Sequence, residues 1–147
     1  MKTKEIIAFA NELKTKLGKD PFKIAEYFGI KVSFWDSNMK DFTAQTFKAD
    51  GYPTIISIGN RYSDTGKMVL CAHELGHALL HEGINNFKVT KENMKSNVEY
   101  EANLFAVALL FDQRELSMQI DKMPNSTLKI LLDYNICNYS EPRRFCE

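Results

Sequence analysis

The segment from Cys71 to Leu80 contains the pattern H-E-x-x-H within an apolar run that is long enough to form a helix. His73 and His77 lie four residues apart, so on a helix their side chains lie one above the other on the same face. Two imidazoles placed in this way can bind one metal ion, and zinc is the ion that such a motif most often holds. The motif therefore predicts a metal site on a buried helix.

The helix around this motif is predicted over residues 63–82, with Ser63 or Asp64 as its cap. Its other residues are mostly apolar, and buried polar side chains cost free energy unless they have partners. The simpler alternative is that His73 and His77 are core histidines bonded to backbone carbonyls. A carboxylate beside a metal, however, can accept a proton from water and pass it to a leaving amine. We therefore predict that His73 and His77 bind zinc and that Glu74 is the catalytic residue.

A catalytic zinc site takes a third protein ligand and keeps one position for water. His81 lies about 12 Å from His73 along a helix axis, at about 1.5 Å per residue, which is too far for both to hold one ion. The longer pattern H-E-x-x-H-x-x-G-x-x-H is absent, because Leu80 and Gly83 occupy its glycine and third histidine positions. We therefore expect His81 to be a supporting, rim or surface residue.

A second apolar helix, predicted over residues 97–111, offers a better third ligand. Glu101 shares its face with Leu104 and Phe105, so its carboxylate is directed toward the interior, where it needs a partner such as a cation. Glu99 lies on a more mixed stripe and is the alternative, or supports a ligand histidine. The predicted metal ligands are therefore His73, His77 and Glu101.

The chain has 147 residues and 44% hydrophobic residues, enough for one domain with its own core. Alternating apolar and polar residues predict strands at 30–35, 42–48 and 54–58, with Asp50-Gly51 as a turn. The predicted fold class is α+β, with a small, mostly antiparallel sheet packed against the central zinc-binding helix and further helices. Within a single domain 1–147 we predict a helix pair 3–29, the sheet 30–60, the zinc helix 63–82, the second ligand helix 97–111, and C-terminal helices and tail 113–147.

The parts of the chain outside these core elements are also assigned from their patterns. Residues 84–96 are predicted to be irregular, residues 114–122 and 127–134 to form two short helices, and the tail from residue 138 to be loosely ordered. Asp20-Pro21 is a cap and first-turn pair that opens the second helix of the leading pair. A DNA-binding helix-turn-helix made by that pair is not favoured, because its charge is mixed and no third helix follows closely.

Charge and composition exclude several classes of protein. Nineteen basic residues balance nineteen acidic ones, so nothing favours direct binding of nucleic acid or of an acidic membrane surface. Residues 1–12 lack the apolar core of a signal peptide, and no segment reaches the roughly 18 apolar residues of a membrane span. We therefore expect a cytoplasmic protein, in which Cys71, Cys137 and Cys146 are free thiols.

Two linked motifs resemble those of a known family. The run from His73 to His81, followed by Glu99-Tyr100-Glu101-Ala102-Asn103-Leu104-Phe105-Ala106, is similar to the ImmA/IrrE metallo-endopeptidases, and the likeness covers roughly residues 5 to 112. The family often has Met-Pro or Leu-Pro after the second motif, whereas Phe111-Asp112-Gln113 stands here. The chain is also too short for the additional sensory domain of larger relatives, so a minimal member carried by a prophage or mobile element is the closer comparison.

The resemblance implies a zincin-like zinc endopeptidase with His73, His77 and Glu101 as ligands and Glu74 as catalytic glutamate. It also implies an anti-repressor role, in which the enzyme cleaves a helix-turn-helix repressor of a mobile element or stress regulon, so that its link to DNA runs through the substrate. An extended substrate is expected along the strand Thr54 to Ile58, and Tyr62, Tyr100 and His81 are candidates for stabilising the oxyanion. Two alternatives remain open: a non-catalytic zinc-stabilised module that binds the repressor, and a zinc hydrolase of a non-protein substrate.

Overall fold

The structure is a computed structural model that describes residues 2–36, 43–81 and 92–136. In this part of the chain, helices pack against a small three-stranded sheet, which confirms the α+β class. The elements are, in chain order, α1 (Thr3–Leu17), α2 (Pro21–Tyr27), β1 (Lys31–Trp35), β2 (Ala44–Phe47), β3 (Ile55–Gly59), α3 (Asp64–Leu80), α4 (Glu92–Leu110) and α5 (Asn125–Ile136), with two short 3₁₀ turns at Gln113–Glu115 and Ile120–Lys122.

The N-cap residues from which helix starts were predicted do cap helices in the structure. The Asp20 side chain accepts a hydrogen bond from the Phe22 N–H at 2.9 Å, and Pro21 occupies the first helical position of α2. Ser63 caps α3 by accepting a hydrogen bond from the Gly66 N–H at 3.0 Å. Asp20 and Ser63 are therefore the N-caps of α2 and α3.

The sheet has the strand order β1-β3-β2 and is mixed rather than mostly antiparallel. β2 pairs antiparallel with β3 after the turn at Gly51, whose φ is 83°. β1 pairs parallel with β3, although β2 lies between them in the sequence and pairs with the opposite edge of β3. β3 is therefore the central strand, paired on both sides, and the predicted docking of a substrate on Thr54 to Ile58 is wrong.

α3 is the central helix of the molecule and contacts α2, α4, α5, β2 and β3. The two helices α3 and α4 approach closely at Gly76, where an added Cβ would lie 3.1 Å from the Ala102 Cα and 3.2 Å from the Ala102 carbonyl oxygen. A side chain at this crossing would therefore crowd the backbone of α4. The largest fully buried side chains around it include Phe105, Leu75, Leu104, Leu109, Ile56 and Ile58.

The region after α4 differs from its prediction. No helix spans residues 114–122; two 3₁₀ turns replace it, because the Gln113 side chain accepts from the Ile120 N–H and donates to the Met118 carbonyl, each at 2.9 Å. These bonds satisfy backbone groups that a helix would otherwise pair. The last helix, α5, is longer than predicted and begins at Asn125, directly after Pro124.

Several predictions fall on residues that the structure does not describe. They are residues 84–91 of the segment predicted to be irregular, the end of the zinc helix at residues 82–83, the tail from residue 138, and the thiols of Cys137 and Cys146. Residues 92–96 of that segment are described and belong to α4, so the prediction was wrong there. Cys71 is described: it is fully buried with a free thiol, and burial raises the pKa of that thiol. In the described ranges, the longest helices lack the length or the apolar character that crossing a membrane requires.

Candidate metal centre

The two histidines of the motif lie on successive turns of α3, with their rings side by side. The His73 and His77 rings lie edge to face, with their centroids 4.8 Å apart, and both rings line the same cleft. His77 is buried, whereas the His73 side chain retains 19% of its exposure. The four-residue spacing thus places both rings on one face, as the sequence predicts.

Glu99 on α4 completes this cluster. Its Oε1 lies 3.2 Å from the His73 Nε2, and its Oε2 lies 3.2 Å from the His77 Nε2. One ligand atom from each of the three residues lies within 4.8 Å of the other two, so the three could hold one metal ion. The donor set is two imidazole nitrogens and one carboxylate, which is a ligand set of catalytic zinc sites.

The two histidines favour the ionised form of the Glu99 carboxyl. Burial raises the pKa of the Glu99 carboxyl, but the hydrogen bonds from His73 and His77 outweigh burial and hold the pKa well below its usual range. Burial likewise lowers the pKa of His73, while its hydrogen bond to Glu99 and the charge of Glu74 act in the opposite direction and raise the pKa overall. Glu99 therefore stays ionised beside the two imidazoles, which gives the cluster the charged oxygen that a cation site needs.

Glu101, the predicted third ligand, does not lie in this cluster. Its Oε1 is 2.9 Å from the Nε2 of His81, and a position two residues along a helix from Glu99 is turned by about 200° at 3.6 residues per turn. Glu101 was preferred because its face of the helix is apolar. That face is not distinctive, because α4 is buried on nearly all sides, including Ala102, Asn103 and Ala106 on the Glu99 side. The sequence feature that distinguishes the Glu99 side is its small residues, since Ala102 allows α3 to approach closely at Gly76.

Glu74 is buried and is held by a residue that the sequence did not indicate. The Thr46 Oγ1 on β2 lies 2.6 Å from the Glu74 Oε1 and 3.1 Å from the Glu74 carbonyl oxygen. Glu74 also lines the cleft together with His73 and His77. Because one carboxylate oxygen is engaged by Thr46, the side chain is fixed beside the cluster rather than inside it.

Each of the two histidines also contacts a further polar side chain, Asn103 for His73 and His81 for His77. Asn103 hydrogen bonds with His73, and its Nδ2 donates to the Asn125 Oδ1 at 2.8 Å. The Nδ1 atoms of His77 and His81 lie 3.0 Å apart. His81 is buried, and burial lowers its pKa although Glu101 acts in the opposite direction. The expectation that His81 is a supporting residue therefore agrees with its position.

The cluster opens into a cleft of about 800 Å³. One wall is the start of β2 and the residue before it, and the opposite wall is α5, with Lys129, Leu132, Asp133 and Ile136. The suggested oxyanion residues do not line this cleft: the Tyr62 hydroxyl accepts from Arg61 Nη2 at 2.6 Å, and the Tyr100 hydroxyl lies 3.4 Å from the Thr3 Oγ1. His81 is engaged by His77 and Glu101 instead.

A family model described as the IrrE N-terminal-like domain, a peptidase family, matches residues 25–130. The chain belongs to this family. The match includes the three residues of the cluster, Glu74 beside it and the strand that holds Glu74, and it confirms the resemblance to ImmA/IrrE. The family supports a metallopeptidase, and the three side chains that could hold one metal ion agree with that class.

Two relatives are known by name. An uncharacterized immunity region protein of Bacillus phage phi105 is 33% identical over 93 residues, which cover 62% of this chain and 58% of the relative. The metallopeptidase ImmA of Bacillus subtilis (strain 168) is 42% identical over 48 residues, 31% of this chain and 28% of the relative. The chain thus spans less than two thirds of the length of either relative.

The IrrE-like chain departs from the pattern expected after α4, where Phe111-Asp112 replaces Met-Pro or Leu-Pro. The Lys14 Nζ on α1 donates to the Phe111 carbonyl at 3.0 Å and to the Asp112 Oδ1 at 3.1 Å. The Lys19 Nζ adds an ion pair with the Asp112 Oδ2 at 3.3 Å. Side chains from the start of the chain thus fix the end of α4, where a proline would fix the backbone directly.

Proposed function

We propose that this protein is a zinc-dependent endopeptidase that acts in the cytoplasm and cleaves a helix-turn-helix transcriptional repressor. The observation that carries the proposal is the cluster of His73, His77 and Glu99 with Glu74 held beside it. A purely structural zinc site is closed by four protein ligands, whereas three ligands and a neighbouring carboxylate suit a site that activates water.

Zinc fits the donor set better than the other common divalent ions. Two imidazole nitrogens and one carboxylate are typical of catalytic zinc, while magnesium and calcium prefer oxygen ligands alone. His73, His77 and Glu99 would hold the ion. Zinc supplies Lewis-acid chemistry, which makes a water more acidic and withdraws electrons from the scissile carbonyl.

Glu74 is the proposed general base and acid. Its carboxylate takes a proton from the attacking water and later gives that proton to the leaving amine, so the two steps balance. The Thr46 hydroxyl bonds to one carboxylate oxygen and limits rotation of the side chain. The carboxylate therefore meets the water in one orientation, which supports a fast proton transfer.

The outer edge of β2 is the proposed substrate site, in place of the central strand β3. The Gly59 N–H donates to the Thr43 carbonyl at 2.8 Å, so Thr43 and Gly59 form a hydrogen-bonded pair. By the alternation of an antiparallel ladder, the backbone N–H and C=O of Ala44 and Thr46 then face away from β3. An extended peptide can pair with these groups, and β2 leads it across the cleft to Glu74.

The proposed substrate is inferred from the family and from the name of one relative. The relative from phage phi105 carries the name of an immunity region protein, and the ImmA/IrrE resemblance implies a repressor as the target. The formal net charge of zero gives this chain no reason to bind DNA itself. A protein substrate that carries the DNA-binding activity is consistent with both observations.

The test is a cleavage assay with the purified chain and the repressor encoded nearest to its gene. Wild-type protein loaded with one equivalent of zinc should cut the repressor into two fragments, which mass spectrometry identifies. The matched control is Glu74→Gln, which keeps the size of the side chain and an oxygen for the Thr46 hydroxyl. It should retain its zinc and lose cleavage.

Each alternative gives a different result in this assay. A non-catalytic repressor-binding module would form a complex with the repressor and leave it intact, in the wild type as in Glu74→Gln. A hydrolase of a non-protein substrate would neither bind nor cut the repressor. Cleavage by Glu74→Gln at the wild-type rate would refute the proposed role of Glu74.

A further inference from the structure

A chain of three side chains runs away from the metal-binding cluster on the side of His77. The His77 Nε2 faces Glu99, and its other ring nitrogen, Nδ1, lies 3.0 Å from the Nδ1 of His81. The His81 Nε2 in turn lies 2.9 Å from the Glu101 Oε1. All the ring nitrogens of His77 and His81 are therefore within reach of a partner.

The contact between the two Nδ1 atoms requires opposite roles, because one must donate a proton and the other must accept it. A metal at the His77 Nε2 leaves the only proton of that ring on Nδ1, so His77 is the donor. His81 must then accept at Nδ1, which places its proton on Nε2, opposite Glu101. A carboxylate is an acceptor, so a single arrangement of protons satisfies every contact.

We propose that His81 and Glu101 are positioning residues that hold His77 in its metal-binding tautomer and strengthen its binding of zinc. The proposal rests on the proposed zinc site and extends it to two residues that lie outside the cluster. Partners of this kind orient a ligand histidine and raise its basicity, and their loss typically weakens metal binding by roughly 10- to 100-fold.

His81 is held in place by more than its ring contacts. Its backbone N–H donates to the His77 carbonyl at 3.1 Å at the end of α3, and its carbonyl accepts from the Lys48 Nζ at 3.2 Å. Only 5% of the residue is exposed. The ring therefore has little freedom to leave His77, as a positioning role requires.

A purely structural role for His81 is the competing explanation, since a buried histidine bonded to a carboxylate can simply fill the core. The two roles differ in what a substitution changes. Loss of a structural residue lowers the free energy of unfolding of the zinc-free protein, and zinc affinity follows only as far as folding does. Loss of a positioning residue lowers zinc affinity in a protein that remains folded.

The experiment is to measure the zinc dissociation constant of the full chain by competition with a chromogenic chelator. The variants are His81→Leu, His81→Asn and Glu101→Gln, each confirmed as folded by circular dichroism without zinc. His81→Leu should bind zinc about 10- to 100-fold more weakly than wild type. His81→Asn keeps an acceptor for His77 and should recover part of the affinity, and Glu101→Gln, which removes only a charge at a half-buried position, should lose about threefold to tenfold.

Two further comparisons make the result decisive. Glu101→Gln should have no additional effect in the His81→Leu background, since both act through His77. Should His81→Leu fail to fold, the Glu101→Gln result alone decides. Zinc affinities within twofold of wild type for every folded variant would overturn the positioning role and leave the zinc site standing, whereas a wild-type chain that binds no zinc would overturn the proposed function itself.

Discussion

The Thr46 hydroxyl on β2 lies 2.6 Å from the Glu74 Oε1 on α3, so a strand of the sheet holds the proposed catalytic carboxylate. Thr46→Val keeps the shape of the side chain and removes this hydrogen bond. Because a misplaced catalytic group can cost about 100-fold in rate, we expect kcat for repressor cleavage to fall by about 10- to 100-fold. Steady-state kinetics would show the loss in kcat, with zinc content unchanged.

Thr46→Ser is the control for this prediction, because it restores the hydroxyl without the methyl group. It should return kcat to within a few-fold of wild type. If Thr46→Val instead cleaves as fast as wild type, Glu74 does not depend on the strand for its orientation.

Zinc should stabilise the wild type against heat, and the effect should depend on Glu99. A ligand that binds only the folded state stabilises it by about 2.7 kcal/mol at 100 times its dissociation constant. Glu99→Ala should abolish most of the shift in Tm on addition of zinc, whereas Glu101→Ala should retain part of it. Differential scanning calorimetry with and without zinc measures both, and the reverse order would restore Glu101 as the ligand.

The contact between Gly76 and Ala102 determines whether α3 and α4 can meet. Helix propensity alone predicts that Gly76→Ala would gain about 1 kcal/mol. The added Cβ would press on the α4 backbone at 3.1 Å, so we expect a net loss of about 1 kcal/mol or more in the free energy of unfolding. Urea denaturation measures it, zinc affinity should fall with it, and a more stable variant would show that the helices can separate without cost.

The ion pairs of Asp112 should make stability depend on acid pH. The hydrogen bond from Lys14 lowers the pKa of Asp112 below its usual 3.8, so the stabilisation is complete above pH 3.8 and is lost as the pH falls through the lowered value. Asp112→Asn should therefore unfold more easily than wild type at pH 7 and equally easily in strong acid. Tm measured against pH tests this.

A suitable control is Asp50→Asn, since Asp50 is exposed and makes no ion pair within the described part of the chain. Its Tm should follow that of wild type at every pH. A constant difference between wild type and Asp112→Asn down to strong acid would show that the ion pairs do not contribute.

The part of the site that lies within one helix could be predicted from sequence, because the four-residue period of a helix fixes where His73 and His77 point. Which glutamate of α4 joins the two histidines could not, because it depends on how α4 is rotated against α3. Glu99 and Glu101 are both on α4, and the apolar pattern of α4 does not distinguish its faces. The close approach at Gly76 does, since it brings the Ala102 side of α4, with Glu99, toward the histidines.

In the sheet, too, local features could be predicted and long-range pairing could not. The turn at Gly51 is local and correctly predicts the antiparallel pair of β2 and β3. The parallel pairing of β1 with β3 joins segments about 24 residues apart, as for Lys31 and Ile55, and no short pattern encodes it. Thr46 was missed for this reason, since its contact with Glu74 exists only once β2 lies beside α3.

The most direct test is a crystal structure of the zinc-loaded protein with anomalous diffraction collected at the zinc absorption edge. The proposed zinc site predicts one strong peak bonded at about 2.0–2.2 Å to the Nε2 atoms of His73 and His77 and to a carboxylate oxygen of Glu99. It also predicts Glu101 against His81, away from the metal. A peak bonded to Glu101 in place of Glu99, or no peak between the two histidines after loading with zinc, would contradict it.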